Sequence, residues 1–173
     1  MKLVSIGYLD GFYYKPRVDK DLLRQYNEGL IATSACLAGE LTRFAAQGDY
    51  KNCKKAALEY SEIFPDRFYI EMQNHNIPEE LASHDILKKV AKELDIPLVA
   101  TNDNHYCMEE HWEAHDVLFC LGTSKDRNDP NRHRYEPRQF YIKSADEMYN
   151  LFKDTPEALE NTLRIAEQCK VDI

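Results

Sequence analysis

The chain has 173 residues, of which 43% are hydrophobic and 30% are charged, a composition typical of a globular domain with its own core. It contains no apolar run long enough to span a bilayer and no signal-peptide pattern, so we expect a cytoplasmic protein with no membrane partner. The net charge of −8 excludes a domain that grips nucleic acid over a broad basic face. Contact with DNA would need a local patch, a metal or a neighbouring domain.

Apolar strands and amphipathic helices alternate through the first 101 residues. The predicted elements, in order, are a short helix over 19–26, a strand over 30–33, a helix that ends near 47–48, a longer helix over 50–64, a strand over 68–72, a helix around 86–94 and a strand over 98–101. This alternation favours a parallel sheet covered by helices, hence an α/β fold.

The strand–helix rhythm stops near residue 126. A helix is predicted over 112–121, a polar loop over 126–137 and a short extended piece over 140–142. Ser144 begins a capping-box pattern, and Pro156 stands at the first position of a last helix. We therefore divide the chain into residues 1–125 and a mostly helical exit segment, 126–173.

The strand over 98–101 leads into Asp103 and His105. Residues i and i+2 of a strand project from the same face, so these two side chains would lie side by side if the strand geometry persists. A carboxylate and an imidazole together suit zinc, manganese or iron, and polar groups after parallel strands commonly form sites. The alternative is a turn cap followed by a surface histidine.

Two other residues follow predicted strands and would reach the same rim. Cys36 lies at a strand-to-helix turn, where a thiolate can bind a metal, although a small packing residue is the simpler interpretation. His75 follows the 68–72 strand, and Glu71 on that strand could point toward the same rim; a solvated histidine is the simpler interpretation. Asp103, His105 and Cys36 alone leave a site incomplete, since no His-x-His motif is present.

The remaining polar clusters have plainer interpretations. Five scattered cysteines without a Cys-x-x-Cys pair indicate reduced thiols that mostly fill the core. His111 and His115 fit a helix surface. Arg132 and Arg134 flank a histidine in a basic cluster that could contact phosphate, but a solvated loop is the simpler interpretation.

Several segments of the chain resemble the alpha subunit of bacterial DNA polymerase III, in the same order. They are residues 29–40, 67–75, 97–106, 113–118 and 156–162. The resemblance places the chain in the later part of the N-terminal PHP domain, with 1–125 as its C-terminal part and 126–173 leading toward the palm domain. It implies a partial, distorted TIM-like barrel of seven βα units.

The resemblance also implies site residues and partners. It assigns Asp103 and His105 to the closing pair of a cluster of divalent metals, and Cys36 to a late ligand position; it assigns no catalytic residue. The implied partners are DNA, a proofreading subunit and other replisome subunits. The early His-x-His strand of the family is missing, so we expect a fragment that can self-associate through unpaired strand edges.

Three functions remain open on this resemblance. The first is a metal-dependent phosphoesterase, acting as a 3′–5′ exonuclease within a DNA-directed DNA polymerase. The second is a scaffold that stabilises the polymerase and docks the proofreading subunit. A free-standing histidinol phosphatase-like enzyme is the third, and the match through the exit segment argues against it. We expect this chain alone to be inactive and to bind metal weakly.

Overall fold

Three short parallel strands lie at the centre of the structure. The computed structural model describes residues 1–170, and in it β1 (Ala32–Thr33), β2 (Phe68–Met72) and β3 (Leu98–Ala100) lie in the order β1-β2-β3. The register pairs Thr33 with Tyr69 and Met72 with Ala100, so the carboxyl ends of the strands face one edge. The predicted α/β class is confirmed, whereas three strands do not establish a TIM-like barrel.

Eight α-helices accompany the sheet within the described residues. They are α1 (Lys2–Leu9), α2 (Lys20–Gln25), α3 (Glu40–Ala46), α4 (Tyr50–Ile63), α5 (Pro78–Leu94), α6 (Trp112–Thr123), α7 (Ala145–Leu151) and α8 (Pro156–Gln168). The sequence predicted all of them except α1, whose apolar residues are spread around the helix rather than along one stripe, so that only Gly7 is buried. No helix of residues 1–170 is long and apolar enough to cross a membrane.

Local signals set where the helices begin and end. The Asp19 and Asp49 side chains accept the Leu22 and Asn52 amides and so cap α2 and α4. The predicted capping box at Ser144 is present at the start of α7. Helix α5 begins at Pro78, earlier than predicted, because proline suits the first turn of a helix.

The core lies between β2 and the layer of α3, α4 and α5. Every residue of β2 is buried, and the core includes the fully buried side chains of Leu41, Ile70, Leu87 and Val90. Each such aliphatic side chain contributes about 1.5–3 kcal/mol through the removal of apolar surface from water. The sheet edge that carries polar residues is thereby held on a rigid support.

Helix α8 covers the outer edge of β3. The Pro97 carbonyl accepts the Ile70 amide within the sheet, so the next carbonyl, that of Leu98, points away from β2. The buried Asn161 of α8 donates to this Leu98 carbonyl at 2.7 Å. Of the two strand edges predicted to be unpaired, the one at β3 is therefore covered. Self-association through an unpaired edge stays a prediction, and it concerns the outer edge of β1.

Candidate functional site

The carboxyl edge of the sheet is a polar rim joined across all three strands. Glu71 of β2 is 8% exposed, and its carboxylate accepts Thr33 Oγ1 at 2.6 Å, Gln73 Nε2 at 3.0 Å and the Thr101 hydroxyl. The Glu71 amide in turn donates to Ser34 Oγ at 2.9 Å. Glu71 thus cross-links the strand ends from a buried position, and its carboxylate oxygens already have hydrogen-bond partners.

Asp103 and His105 lie beyond this rim in a turn. Strand β3 ends at Ala100, one residue before the predicted end at Thr101, so the condition of persisting strand geometry is not met and the pair is adjacent for another reason. His105 Nδ1 lies 3.1 Å from the Asp103 carbonyl oxygen and 3.7 Å from Asp103 Oδ1. The side chains are 42% (Asp103) and 26% (His105) exposed, so both remain open to a ligand.

A buried histidine supports this turn from below. His75 is 1% exposed, and its Nε2 accepts the Asp103 amide at 3.1 Å. Because Nε2 is the acceptor, the ring proton is on Nδ1, which donates to Glu80 Oε1 at 2.9 Å. Glu80 Oε2 also accepts the His75 amide at 2.7 Å. His75 therefore holds the Asp103 backbone, and the solvated-histidine interpretation is wrong.

Sequence reasoning missed Glu80. It lies in the first turn of α5, where a carboxylate is ordinarily explained by the helix dipole. What makes Glu80 a candidate for a structural role is its burial, at 4% exposure, and burial of a carboxylate could not be read from the sequence. The only local signal was that Glu80 follows His75 by five residues and lies in the first turn of a helix that begins with proline.

Cys36 lies in the turn between β1 and α3. This turn is tight: the Gly39 amide donates to the Cys36 carbonyl at 2.8 Å, and a Cβ on Gly39 would lie 2.2 Å from the Ser34 carbonyl oxygen. Cys36 lines a cavity of about 10 Å³, near the size of one water, together with Glu71 and Glu80. It is therefore adjacent to the polar rim.

Asp103, His105 and Cys36 are not assembled as a metal-binding group. Among residues 1–170, no three His, Cys, Asp or Glu side chains are placed to hold a metal ion together. The chemistry of the Asp103–His105 pair fits two ligand positions, whereas Cys36 lines a separate small cavity. The predicted ligand role of all three residues stays a prediction.

The cysteines divide by exposure. All five thiols are free: Cys53 and Cys120 are buried, Cys36 is half-buried, and Cys107 and Cys169 are exposed. The core-filling interpretation therefore holds for two of them. Burial raises the pKa of the Cys53 thiol to about 11.

Aromatic rings from the exit segment and from α6 lie beside His105. The His105 ring centroid lies 4.4 Å from that of Tyr135, 5.4 Å from that of Phe140 and 5.6 Å from that of His115. Phe140 also stacks on His75 at 4.7 Å. Burial lowers the pKa of His115, and the neighbouring His105 lowers it further. His115 is thus part of the surroundings of the pair.

Backbone pairing fixes the exit segment to the turn. The His105 amide donates to the Phe140 carbonyl at 2.8 Å, and Asn102 Nδ2 donates to the Tyr141 carbonyl at 2.6 Å. A parallel bridge joins Tyr106 to Tyr141. The predicted extended piece over 140–142 therefore packs against the candidate site, although the proposed boundary at residue 126 remains a prediction.

The loop over 126–137 contains a buried arginine. The Arg132 side chain is 4% exposed and makes two hydrogen bonds with Asp116, at 2.6 and 2.7 Å. Arg127 Nε lies 3.4 Å from the same carboxylate, and Arg132 and Arg127 together lower the pKa of Asp116. The simpler interpretation of the basic cluster as a solvated loop is wrong for Arg132, since a bidentate ion pair fixes it on α6.

Comparison with known proteins supports the resemblance. Residues 1–75 match the family model described as PHP domain. The chain is 47% identical over 169 residues to DNA polymerase III subunit alpha of Borreliella burgdorferi, which covers 98% of this chain and 15% of that protein. The same subunit of Treponema pallidum is 45% identical over 174 residues, and that of Campylobacter jejuni is 43% identical over 184 residues, each covering 100% of this chain and 15% of the relative.

The matches extend through both halves of the chain, including the exit segment that packs on the candidate site. The chain nevertheless spans only about 15% of the length of the curated relatives that it matches. It belongs to the DNA polymerase III alpha subunit family, as a PHP region of that subunit.

Proposed function

We propose that this region provides part of a metal-dependent phosphoesterase, acting as a 3′–5′ exonuclease within a DNA-directed DNA polymerase. The observation that carries the proposal is the Asp103–His105 pair, held at the carboxyl edge of a parallel sheet by the buried His75–Glu80 pair. In this proposal the sheet is part of a distorted TIM-like barrel, and such barrels bind their ligands at that edge.

The donor set suits zinc, manganese or iron. Asp103 and His105 would supply two ligands, Cys36 is the proposed third, and further ligands would come from other parts of the polymerase subunit. A divalent ion bound there would supply Lewis acidity to a phosphodiester and acidify a bound water molecule.

The residues of this chain have separate roles in the proposal. Asp103 and His105 bind, and both are partly open to solvent. His75 orients them, because its Nε2 accepts the Asp103 amide. Tyr135 and Phe140 limit the motion of the His105 ring and exclude water from one side of it. Supporting groups of this kind typically alter metal affinity or activity by about 10–100-fold when removed.

The test compares two variants of the full-length subunit that carries this chain. Asp103→Asn removes the charge of a proposed ligand, while Asp21→Asn is the matched control, since that side chain is 93% exposed on α2. We expect Asp103→Asn to lower removal of a mismatched 3′ nucleotide more than about 100-fold and to leave primer extension unchanged. Equal exonuclease rates in the two variants would refute the proposal.

A docking scaffold is the second candidate function. It is favoured by the exposed apolar side chains of the N-terminal segment, among them Leu9 at 82% and Tyr14 at 83% exposure. In this alternative the region stabilises the polymerase and binds a proofreading subunit. Retained exonuclease activity in Asp103→Asn, together with lost subunit binding in Leu9→Ser, would favour it.

The wider predictions from the sequence are part of the same proposal. DNA and other replisome subunits are the proposed partners of the complete subunit, and a cytoplasmic location stays a prediction. The isolated 173-residue chain is expected to show no exonuclease activity and only weak metal binding, which calorimetric titration with manganese or zinc would measure.

A further inference from the structure

A cavity of about 210 Å³ lies between α6 and the loop over 126–138, and its walls are unusually basic for this chain. Four arginines line it, namely Arg127, Arg132, Arg134 and Arg138, against two carboxylates. The chain as a whole carries a net charge of −8. The cavity is therefore a local positive site in an acidic protein, where an anion would concentrate.

Two of these arginines are already neutralised. Arg132 makes its bidentate pair with Asp116, and Arg127 Nη2 lies 2.7 Å from a Glu113 carboxylate oxygen. These contacts fix the loop on α6 and shape the cavity wall. The carboxylates largely balance the charges of these two arginines, so the arginines stabilise the loop more than they attract an anion.

The other two arginines are not paired with a carboxylate of the described residues. Arg134 Nη2 donates to the Asp129 carbonyl at 2.9 Å, and Arg138 lies over the Trp112 ring, 3.4 Å from its centroid. Within residues 1–170, neither guanidinium has a carboxylate within 4.0 Å. Arg138 therefore presents guanidinium donors that match a phosphate group. Arg134 Nη1 and Nη2 also approach the Arg132 and Arg127 carbonyls at 3.4 Å, so Arg134 contributes its positive charge more than its donors.

Aromatic side chains accompany these cations. Trp112, Tyr106 and Tyr135 line the same cavity. An arginine cluster interleaved with aromatic rings is the usual surface for single-stranded nucleic acid, because the cations bind phosphates and the rings stack on bases. A metabolite pocket commonly has about 300–1,000 Å³, so this smaller cavity has room for one phosphate with part of its nucleotide.

The cavity adjoins the candidate metal pair. His115 and Tyr135 line it, and their ring centroids lie 5.6 and 4.4 Å from that of His105. A strand with one phosphate in the cavity would pass beside His105. The position thus connects the cavity with the proposed exonuclease site.

We propose that Arg134, Arg138 and Trp112 bind one backbone phosphate and the adjoining nucleotide of a single DNA strand. The choice of DNA rests on the proposed function, but the binding itself requires neither a metal nor cleavage. Arg138 is the main phosphate contact, because it is exposed at the cavity and has no carboxylate partner among the described residues.

The chain contains its own probe for this site. Trp112 is the single tryptophan, so intrinsic fluorescence reports directly on the cavity. The experiment titrates the 173-residue chain, in EDTA, with an oligothymidylate of about six nucleotides, within the usual site size of single-strand binders. Stacking beside Trp112 is expected to quench its emission, and circular dichroism checks that each variant is folded.

Arg138→Gln is the test variant and Arg43→Gln the matched control. Both arginines are exposed and both lie over an aromatic ring, but Arg43 lies over Phe44 on α3, outside the cavity. We expect Arg138→Gln to weaken binding about tenfold, as the loss of a charge-assisted contact does, and Arg138→Glu to weaken it further. Between about 50 and 200 mM salt, Arg138→Gln should also reduce the slope of log affinity against log salt by about 0.7.

Two competitors distinguish a strand from a smaller anion. Thymidine monophosphate and inorganic phosphate are expected to displace the oligonucleotide only at concentrations at least about tenfold higher, since each lacks the neighbouring stacked base. Equal potency of either competitor would overturn the assignment to a strand. Equal affinities of the Arg138→Gln and Arg43→Gln variants would overturn the site itself, and since EDTA is present, this result is independent of whether Asp103 supports cleavage.

Discussion

Replacement of Glu80 by glutamine tests whether the His75–Glu80 pair holds the Asp103 turn. Glu80 accepts two hydrogen bonds from His75, from the ring at 2.9 Å and from the backbone amide at 2.7 Å. Glutamine keeps the shape of the side chain but has one oxygen and one NH2 group. One of the two His75 donors would therefore face a second donor without an acceptor.

The cost follows from burial, since His75 is 1% and Glu80 is 4% exposed and solvent screens neither group. A hydrogen bond to a charged group contributes about 1.5–3 kcal/mol, and a buried donor without a partner costs about 1–3 kcal/mol. Because the shape is conserved, no cavity is created. We expect Glu80→Gln to lower the free energy of unfolding by about 2.5–6 kcal/mol, a large share of the stability of a domain of this size.

Urea unfolding of Glu80→Gln and Glu79→Gln provides the measurement. Glu79 is the matched control because it is exposed in the same first turn of α5. Hydrogen exchange of the Asp103 amide should accelerate in Glu80→Gln alone, since that amide donates to His75 Nε2. Equal unfolding midpoints for both variants, or unchanged exchange at Asp103, would show that the pair does not support the turn.

Three further predictions concern other parts of the structure. Asn161→Ala leaves the Leu98 carbonyl without its donor at the edge of β3, and urea unfolding should show a loss of about 1–3 kcal/mol. The Tyr141 hydroxyl and then Ser144 hold the pKa of Glu147 at about 2, below its ordinary value of 4.5. A carboxylate whose pKa is lower in the folded than in the unfolded state stabilises the fold at any pH above its unfolded pKa. This stabilisation is lost as the pH falls from about 4.5 to about 2. The gap in urea midpoint between wild type and Glu147→Gln should therefore be constant above pH 5 and narrow below it. The Cys53 thiol, buried and with its pKa raised to about 11, should resist an aromatic disulfide reagent that modifies exposed thiols at neutral pH.

Each of these predictions has a control. Asn150→Ala, on the exposed surface of α7, should leave the unfolding midpoint unchanged, and a matching loss there would contradict the role of Asn161. A constant Glu147→Gln gap down to pH 2 would show that the Tyr141 contact is not formed. Cys107 is the exposed comparison thiol, and modification of Cys53 at the same rate would contradict its burial.

The sequence was sufficient for the order of most elements and for the rim that carries the site. The strands around Thr33, Ile70 and Val99 were predictable because apolar runs of that length between amphipathic helices favour parallel strands. Once the strands are parallel, the residues after them must face one edge. The position of Asp103 and His75 at a common rim follows from that topology.

The interactions among side chains from distant segments were not predictable. The Glu80–His75 pair, the Asn161 contact with Leu98 and the bidentate pairing of Arg132 all depend on burial, which arises only when separate elements pack. Local sequence offers several equivalent partners for each polar group, and desolvation selects among them.

The sequence alone therefore determined the α/β class, the family resemblance and the Asp103–His105 motif, because these depend on local periodicity and residue identity. Only the tertiary structure showed that the pair lies in a turn after β3, that a buried histidine holds it, and that the exit segment and α6 form an arginine-lined cavity beside it. The physical reason is that the charge and hydrogen-bonding capacity of each side chain follow from the sequence, whereas the dielectric surroundings and partners of that side chain exist only after packing.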